Sequence, residues 1–289
     1  MTSVFAYCTE NIFLALKWID FLHKTWYNNL ADKIRKGSQC MMTKLYKKSK
    51  IWFSIVWIVS YVVLASVGDS VSEEIGISKI ITLPILIALS TALFFFVKKN
   101  GLIEKYGLCK PQISSARMLF YIPLIVLLTA NMWFGVAINF SILETVLYIL
   151  SMICVGFLEE MIFRGFLFNA MAENGVKSAI IVSSVTFGIG HIVNLINGSG
   201  AELLSNLLQV IYAIAVGFTF VMIYYKTKSI VPCILTHSIF NSLSAFSNEA
   251  AMTPPRQIIS GILIAVIAAA YAIYITYTET DFGKNATIE

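Results

Sequence analysis

Two adjacent carboxylates, Glu159 and Glu160, stand inside an otherwise apolar stretch, and Arg164 follows the second of them by four residues. Further along, His191 closes the run Phe187-Gly188-Ile189-Gly190-His191, and His237 precedes Asn241 by four residues. A glutamate with a histidine can hold and deprotonate water, while a histidine and an asparagine can donate hydrogen bonds to the oxyanion of a tetrahedral intermediate. That is the equipment for hydrolysing an amide. Two imidazoles and one carboxylate with an open position would also suit a catalytic zinc, with Glu160, His191 and His237 as the donor set. The His-Glu-x-x-His helix of common zinc proteases is absent from the chain. Spacing alone therefore leaves zinc-dependent and metal-free hydrolysis both open.

Helical spacing divides the two glutamates. Residues four apart share a helix face, so Glu160 and Arg164 can neutralise each other, which leaves Glu159 without a partner in its own helix and makes it the preferred chemical group. The plain alternative for the three charges is an ion pair that locks helices together. For a lone intramembrane histidine the plain alternative is packing. Two of the chain's three histidines lie in such segments, and that weighs against packing alone.

The elements that must position these residues follow from composition. The chain has 289 residues, of which 58% are hydrophobic and only 13% charged, against about 25% charged in soluble globular domains. Apolar runs of about 20 residues recur almost throughout, and each is long enough to cross a bilayer as a helix. The expected segments are 51–68, 79–97, 118–138, 142–172, 178–196, 203–225, 229–247 and 257–278, giving an all-α, polytopic bundle of eight helices. Residues 1–50 read as a basic arm and 51–289 as one membrane domain. Within the arm, residues 4–27 have the pattern of an amphipathic surface helix. The arm carries nine Lys and Arg residues. Placing it in the cytoplasm puts the loops bearing Lys98, Lys99, Lys105, Lys110, Lys177, Lys226 and Lys228 on the same side and both termini inside, with only Lys79 and Arg256 opposing the bias. The net charge of +5 is thus a topology signal. No basic helix or interleaved aromatic pattern suggests nucleic acid. The five cysteines are widely spaced, which gives no metal knuckle or redox pair. Neither a signal peptide nor a C-terminal prenylation motif is expected, and no internal repeat suggests a transporter built from inverted halves.

Depth ties the chemistry to the helices. Glu159 lies fourteen residues from Glu173, His191 fourteen from Lys177 and Asn241 thirteen from Lys228. At about 1.5 Å per residue these three fall roughly 20 Å from the basic boundary and His237 roughly 14 Å. A shared site requires such a slab.

Glu159-Glu160-x-x-x-Arg164, Phe187-x-x-x-His191 and His237-x-x-x-Asn241 resemble, in identity, order and spacing, the three motifs of the CPBP family of type II CAAX prenyl proteases and bacteriocin-processing or immunity proteins. The resemblance covers residues 159 to 241. It implies an eight-helix intramembrane endopeptidase in which Glu159 and His191 activate water, His237 and Asn241 stabilise the oxyanion, and Glu160 with Arg164 orients the carboxylates. It also implies a peptide or membrane-protein substrate in the bilayer, such as a secreted-peptide precursor, a bacteriocin or a prenylated protein, with peptide maturation and self-immunity ranked above CAAX cleavage. A non-catalytic scaffold or immunity protein is the alternative from another class, and a transporter or proton relay a third. Substrate identity and oligomeric state are not fixed by these motifs.

Overall fold

The computed structural model describes residues 41–195 and 202–278. The chain divides into Met1–Ser49 and Lys50–Glu289. Of the first unit, residues 41–48 are helical, and the surface helix expected over 4–27 lies outside the described residues.

Within the second unit eight apolar helices succeed one another: α1 (Lys50–Ile75), α2 (Thr82–Lys99), α3 (Ser115–Met132), α4 (Ile142–Ala172), α5 (Val176–Leu195), α6 (Leu203–Thr227), α7 (Val231–Phe246) and α8 (Pro254–Tyr277). All but α7 are long and apolar enough to span a bilayer. No β-strand occurs among the described residues, where the only isolated bridge joins Val136 to Ser247. The protein is an all-α, multi-pass membrane protein.

Contacts between the connections show that successive helices run in opposite directions. At one end Lys50 pairs with Glu173, the Gln112 amide donates to the Thr227 carbonyl at 2.8 Å, and the Ile230 amide donates to the Gly107 carbonyl at 2.8 Å. Lys226 Nζ donates to the Thr278 carbonyl at 2.7 Å at that same end. At the other end the Ser78 amide donates to Glu144 Oε1 at 3.1 Å, Asn139 Nδ2 donates to the Ser247 carbonyl at 2.8 Å, and Ser205 Oγ donates to Gln257 Oε1 at 3.3 Å. The loops rich in lysine therefore gather at one end. Both cations that oppose the charge bias are tied down at the other: Lys79 Nζ lies 2.7 Å from Asp69, and Arg256 donates to the Ala251 carbonyl at 2.8 Å and faces the Phe134 ring at 5.3 Å.

Local chemistry sets several helix ends. Ser141 and Glu144 form a reciprocal capping box at the start of α4, which satisfies two amides that have no partner in the helix. The Glu173-Asn174-Gly175 turn ends it, with Gly175 at φ +142° where a side chain would be strained. Pro232 and the Pro254-Pro255 pair start α7 and α8, where the missing N–H costs no helical bond.

The third segment departs from the continuous helix expected over 118–138. Leu119, Phe120 and Tyr121 all have positive φ, and the α-helical part begins only at Ile122, with Pro123 in its first turn. Proline cannot donate back into a preceding turn, so a helix starts there more readily than it runs through. The phenol of Tyr271 compensates by donating to the Met118 carbonyl at 2.7 Å.

A second departure lies in α4. It is α-helical over Ile142–Glu160, then π-helical over Met161–Phe168, all eight residues of which are buried. Such widened turns are rare and are found mostly at functional sites. The two glutamates close the regular helix and Arg164 lies in the wide one.

α4 and α7 approach each other closely at Gly156. A Cβ there would come within 2.8 Å of the Ser238 amide nitrogen and 3.0 Å of its Cα, so an alanine has to push backbone rather than a flexible side chain. We expect Gly156→Ala to destabilise the protein by about 1–3 kcal/mol, read as a lowered thermal midpoint in detergent. Unchanged stability would show that the helices can separate at no cost.

Candidate active site

Charges at membrane depth need partners, since each unpaired one costs several kcal/mol. Glu160 and Arg164 are both completely buried, and Arg164 Nη1 donates to Glu160 Oε1 at 3.0 Å, the pair expected from their spacing. The guanidinium is otherwise held by aromatic faces, its Cζ lying 4.0 Å from the Phe187 ring centroid and 5.4 Å from that of Phe220. Desolvated cation–π contacts of this kind contribute about 2 kcal/mol. They explain how a buried arginine is retained although its Nε and Nη2 have no hydrogen-bond partner among the described residues.

Glu160 has a second partner that helical spacing did not reveal. Its Oε1 lies 2.7 Å from His237 Nδ1, so α4 and α7 are joined by a buried chain Arg164–Glu160–His237. A carboxylate on Nδ1 fixes the imidazole's orientation and places a proton on that nitrogen. This leaves Nε2 facing Glu159 Oε2 at 3.7 Å, beyond direct hydrogen-bond length.

Glu159 has no partner in its own helix, as expected, and finds one on α1. The Tyr61 hydroxyl donates to Glu159 Oε1 at 2.6 Å. Tyr61 lies outside the three motifs. A depth count would have marked it, since eleven residues from Lys50 correspond to about 16 Å, within the slab of the other groups. Its phenol is also one of few polar groups in the apolar middle of that helix.

His191 sits where α5 changes from α-helix to 3₁₀ geometry. Its Nδ1 lies 3.1 Å from the Phe187 carbonyl. A carbonyl can only accept, so Nδ1 carries the proton and Nε2 is left as the basic nitrogen. The His191 carbonyl accepts from Asn206 Nδ2 at 2.7 Å, which ties this turn to α6. Gly188 permits a close helix approach: a Cβ there would lie 2.7 Å from the Ile214 amide nitrogen. Gly190 has nothing within 4 Å of such an atom among the described residues.

One cavity collects the polar residues of α5 and α7. It has a volume of about 50 Å³, and His191, His237 and Asn241 line it together with Gln209 and Tyr212. Phe187 and Phe220 supply apolar wall. The Phe187 ring meets both imidazoles edge-on, at 5.2 Å from His191 and 5.7 Å from His237. Glu159, Glu160, Arg164, His191, His237 and Asn241 are thus brought into one neighbourhood from α4, α5 and α7, with Tyr61 added from α1.

The proposed zinc donors do not form a ligand set. Donor atoms sharing a tetrahedral zinc lie about 3.3 Å apart, given bonds of about 2.0–2.1 Å. Glu160 Oε1 instead touches His237 Nδ1 at direct hydrogen-bond distance and also accepts from Arg164. Among the described residues no group of three His, Cys, Asp or Glu side chains is arranged to hold a metal ion.

No curated protein and no solved structure matches the chain. Residues 140–243 match the family model described as type II CAAX prenyl endopeptidase Rce1-like. The match runs from the start of α4 to the end of the α-helical part of α7 and contains every motif residue of the site. It supports a CAAX-type intramembrane endopeptidase activity. Residues 140–243, about a third of the chain, carry all three motifs and are similar to that family of membrane endopeptidases.

Proposed function

We propose that the protein is an intramembrane endopeptidase that hydrolyses a peptide bond of a membrane-associated peptide or protein, using Glu159 as general base. The observation that carries this reading is the lining of one small cavity by His191, His237 and Asn241, with Glu159 Oε2 3.7 Å from His237 Nε2. Glu159, oriented by Tyr61, takes a proton from water, and His191 holds that water through its basic Nε2. The resulting hydroxide attacks the carbonyl carbon. His237 Nε2 and Asn241 Nδ2 donate to the oxygen that becomes negative, as an oxyanion hole does. When the C–N bond breaks, Glu159 returns its proton to the departing nitrogen. Donation from Nε2 while Nδ1 bonds Glu160 requires both ring nitrogens of His237 to carry protons in this step. The apolar wall of Leu127, Phe187 and Phe240 suits a hydrophobic residue next to the scissile bond. The lysine-rich end lies in the cytoplasm, by the positive-inside rule.

Membrane and secreted peptides from wild-type and Glu159→Ala cells, compared by mass spectrometry, test this reading. At least one peptide should appear uncut only in the variant. Identical peptide profiles at equal expression would favour a scaffold or immunity protein acting without catalysis.

Two further results are expected. Charge-assisted hydrogen bonds contribute about 1.5–3 kcal/mol, so Tyr61→Phe should lower kcat about tenfold or more and lower the thermal midpoint by several degrees, while KM stays near wild type. A change confined to KM would place Tyr61 in substrate binding instead. Chelator treatment followed by metal analysis should leave cleavage intact, because Glu160 is already held by Arg164 and His237. Loss of cleavage that returns on adding zinc would overturn that assignment.

A further inference from the structure

Behind the site, on the opposite face of α6, lies a second and much larger hollow. Gln209, Tyr212, Ala213, Val216 and Phe220 of α6 face the small cavity, whereas Ile211, Ile214, Phe218 and Met222 face a groove of about 990 Å³ between α5, α6 and α8. The groove is deep because α8 contributes alanines, Ala265, Ala269 and Ala272, where larger residues would fill it. Its walls are aliphatic along most of their length. Only one end is charged, where Lys177 and Lys226 line it beside Tyr225 and Thr276.

Both lysines belong to the lysine-rich end of the bundle. Lys177 is exposed, and neither has an acidic partner among the described residues. Lys226 Nζ is steered by the Thr276 and Thr278 carbonyls, which hold its charge at the mouth of the groove. From Ile211 to Lys226 is fifteen residues of helix, or about 22 Å. That exceeds the depth of one leaflet, half of a hydrocarbon core of about 30 Å. An aliphatic slot one leaflet deep, with two cations where head groups begin, complements an anionic phospholipid and not a zwitterionic one.

We infer that this groove is a binding site for one anionic phospholipid, with an acyl chain along Ile211, Ile214 and Phe218 and the head-group phosphate between Lys177 and Lys226. The site is independent of the proposed hydrolysis and shares no residue with it. A bound chain would back α6 on the side opposite the small cavity, and the groove would be filled in a native membrane.

Native mass spectrometry of the full chain released from mild detergent tests the assignment, with phosphatidylglycerol or phosphatidylcholine supplied in equal amounts. Wild-type protein should retain one phosphatidylglycerol in preference to phosphatidylcholine. Each basic residue near a membrane surface contributes about fivefold to anionic-lipid binding, so Lys177→Ala with Lys226→Ala should weaken retention by about 25-fold. Lys177→Arg with Lys226→Arg should keep the preference and controls for folding. Ala269→Phe, which occupies the groove without altering charge, should lower retention of both lipids. Equal retention of the two lipids by wild type, unchanged retention in the double alanine variant, or a dimer that carries no lipid would overturn the inference.

Discussion

Replacing Glu159 by glutamine should slow peptide cleavage by about 10²- to 10⁴-fold, the range that positioned general-base catalysis supplies, with little change in thermal midpoint. A glutamine has the same volume, and its carbonyl oxygen can still accept the Tyr61 hydroxyl that lies 2.6 Å from the carboxylate. It cannot take up a proton. KM should also hold, because Glu159 acts on water in the transition state rather than on the resting substrate. The check is a progress curve for peptide cleavage in proteoliposomes beside a melting curve of the same preparation. A variant that melts early would indicate a structural carboxylate, and one that cleaves at the wild-type rate would remove Glu159 from the chemistry.

Arg164→Met should produce the opposite pattern, a loss of about 3–5 kcal/mol of stability, the usual cost of stranding one member of a buried ion pair. Glu160 would be left completely buried with only His237 to compensate its charge. The stacking of the guanidinium on Phe187 and Phe220 would go as well. Unfolding in detergent measures the loss. Adding Glu160→Gln to Arg164→Met should recover part of the stability while leaving His237 without its orienting carboxylate. A single Arg164→Met change that costs less than about 1 kcal/mol would match an exposed pair and contradict the burial seen here.

How much of this was legible in the sequence depends on whether the determining contact is local. Glu160 and Arg164 are one helical turn apart, so their pairing follows from α-helical geometry even though the backbone between them widens into a π-helix. The common depth of Glu159, His191 and Asn241 was legible because rise per residue is nearly constant, and the small cavity does join His191 to Asn241. The alternation of eight segments was legible from hydropathy and lysine placement, down to α7, which is short yet still connects the two ends of the bundle. Contacts that depend on which helix lies beside which were not legible. Tyr61 reaches Glu159 across 98 residues and His237 reaches Glu160 across 77, and no periodicity encodes either. That second contact bears on the chemistry, since it holds Glu160 against His237 and fixes the orientation of the His237 ring. Backbone departures were hidden for a related reason. The left-handed residues Leu119 to Tyr121 and the π-turn over Met161–Phe168 are stabilised by tertiary packing, against the preference of the local sequence.

The central claim is that Glu159 activates water to cut a peptide bond at this site, and isotope labelling tests it most directly. Purified protein in proteoliposomes is given membrane-derived peptides in ¹⁸O-water, beside the Glu159→Gln variant, and the products are read by mass spectrometry. The account predicts that wild-type protein yields paired fragments with one ¹⁸O in the new carboxyl group, and that the variant yields almost none. Equal labelled cleavage by both proteins, or no cleavage by either, would contradict it.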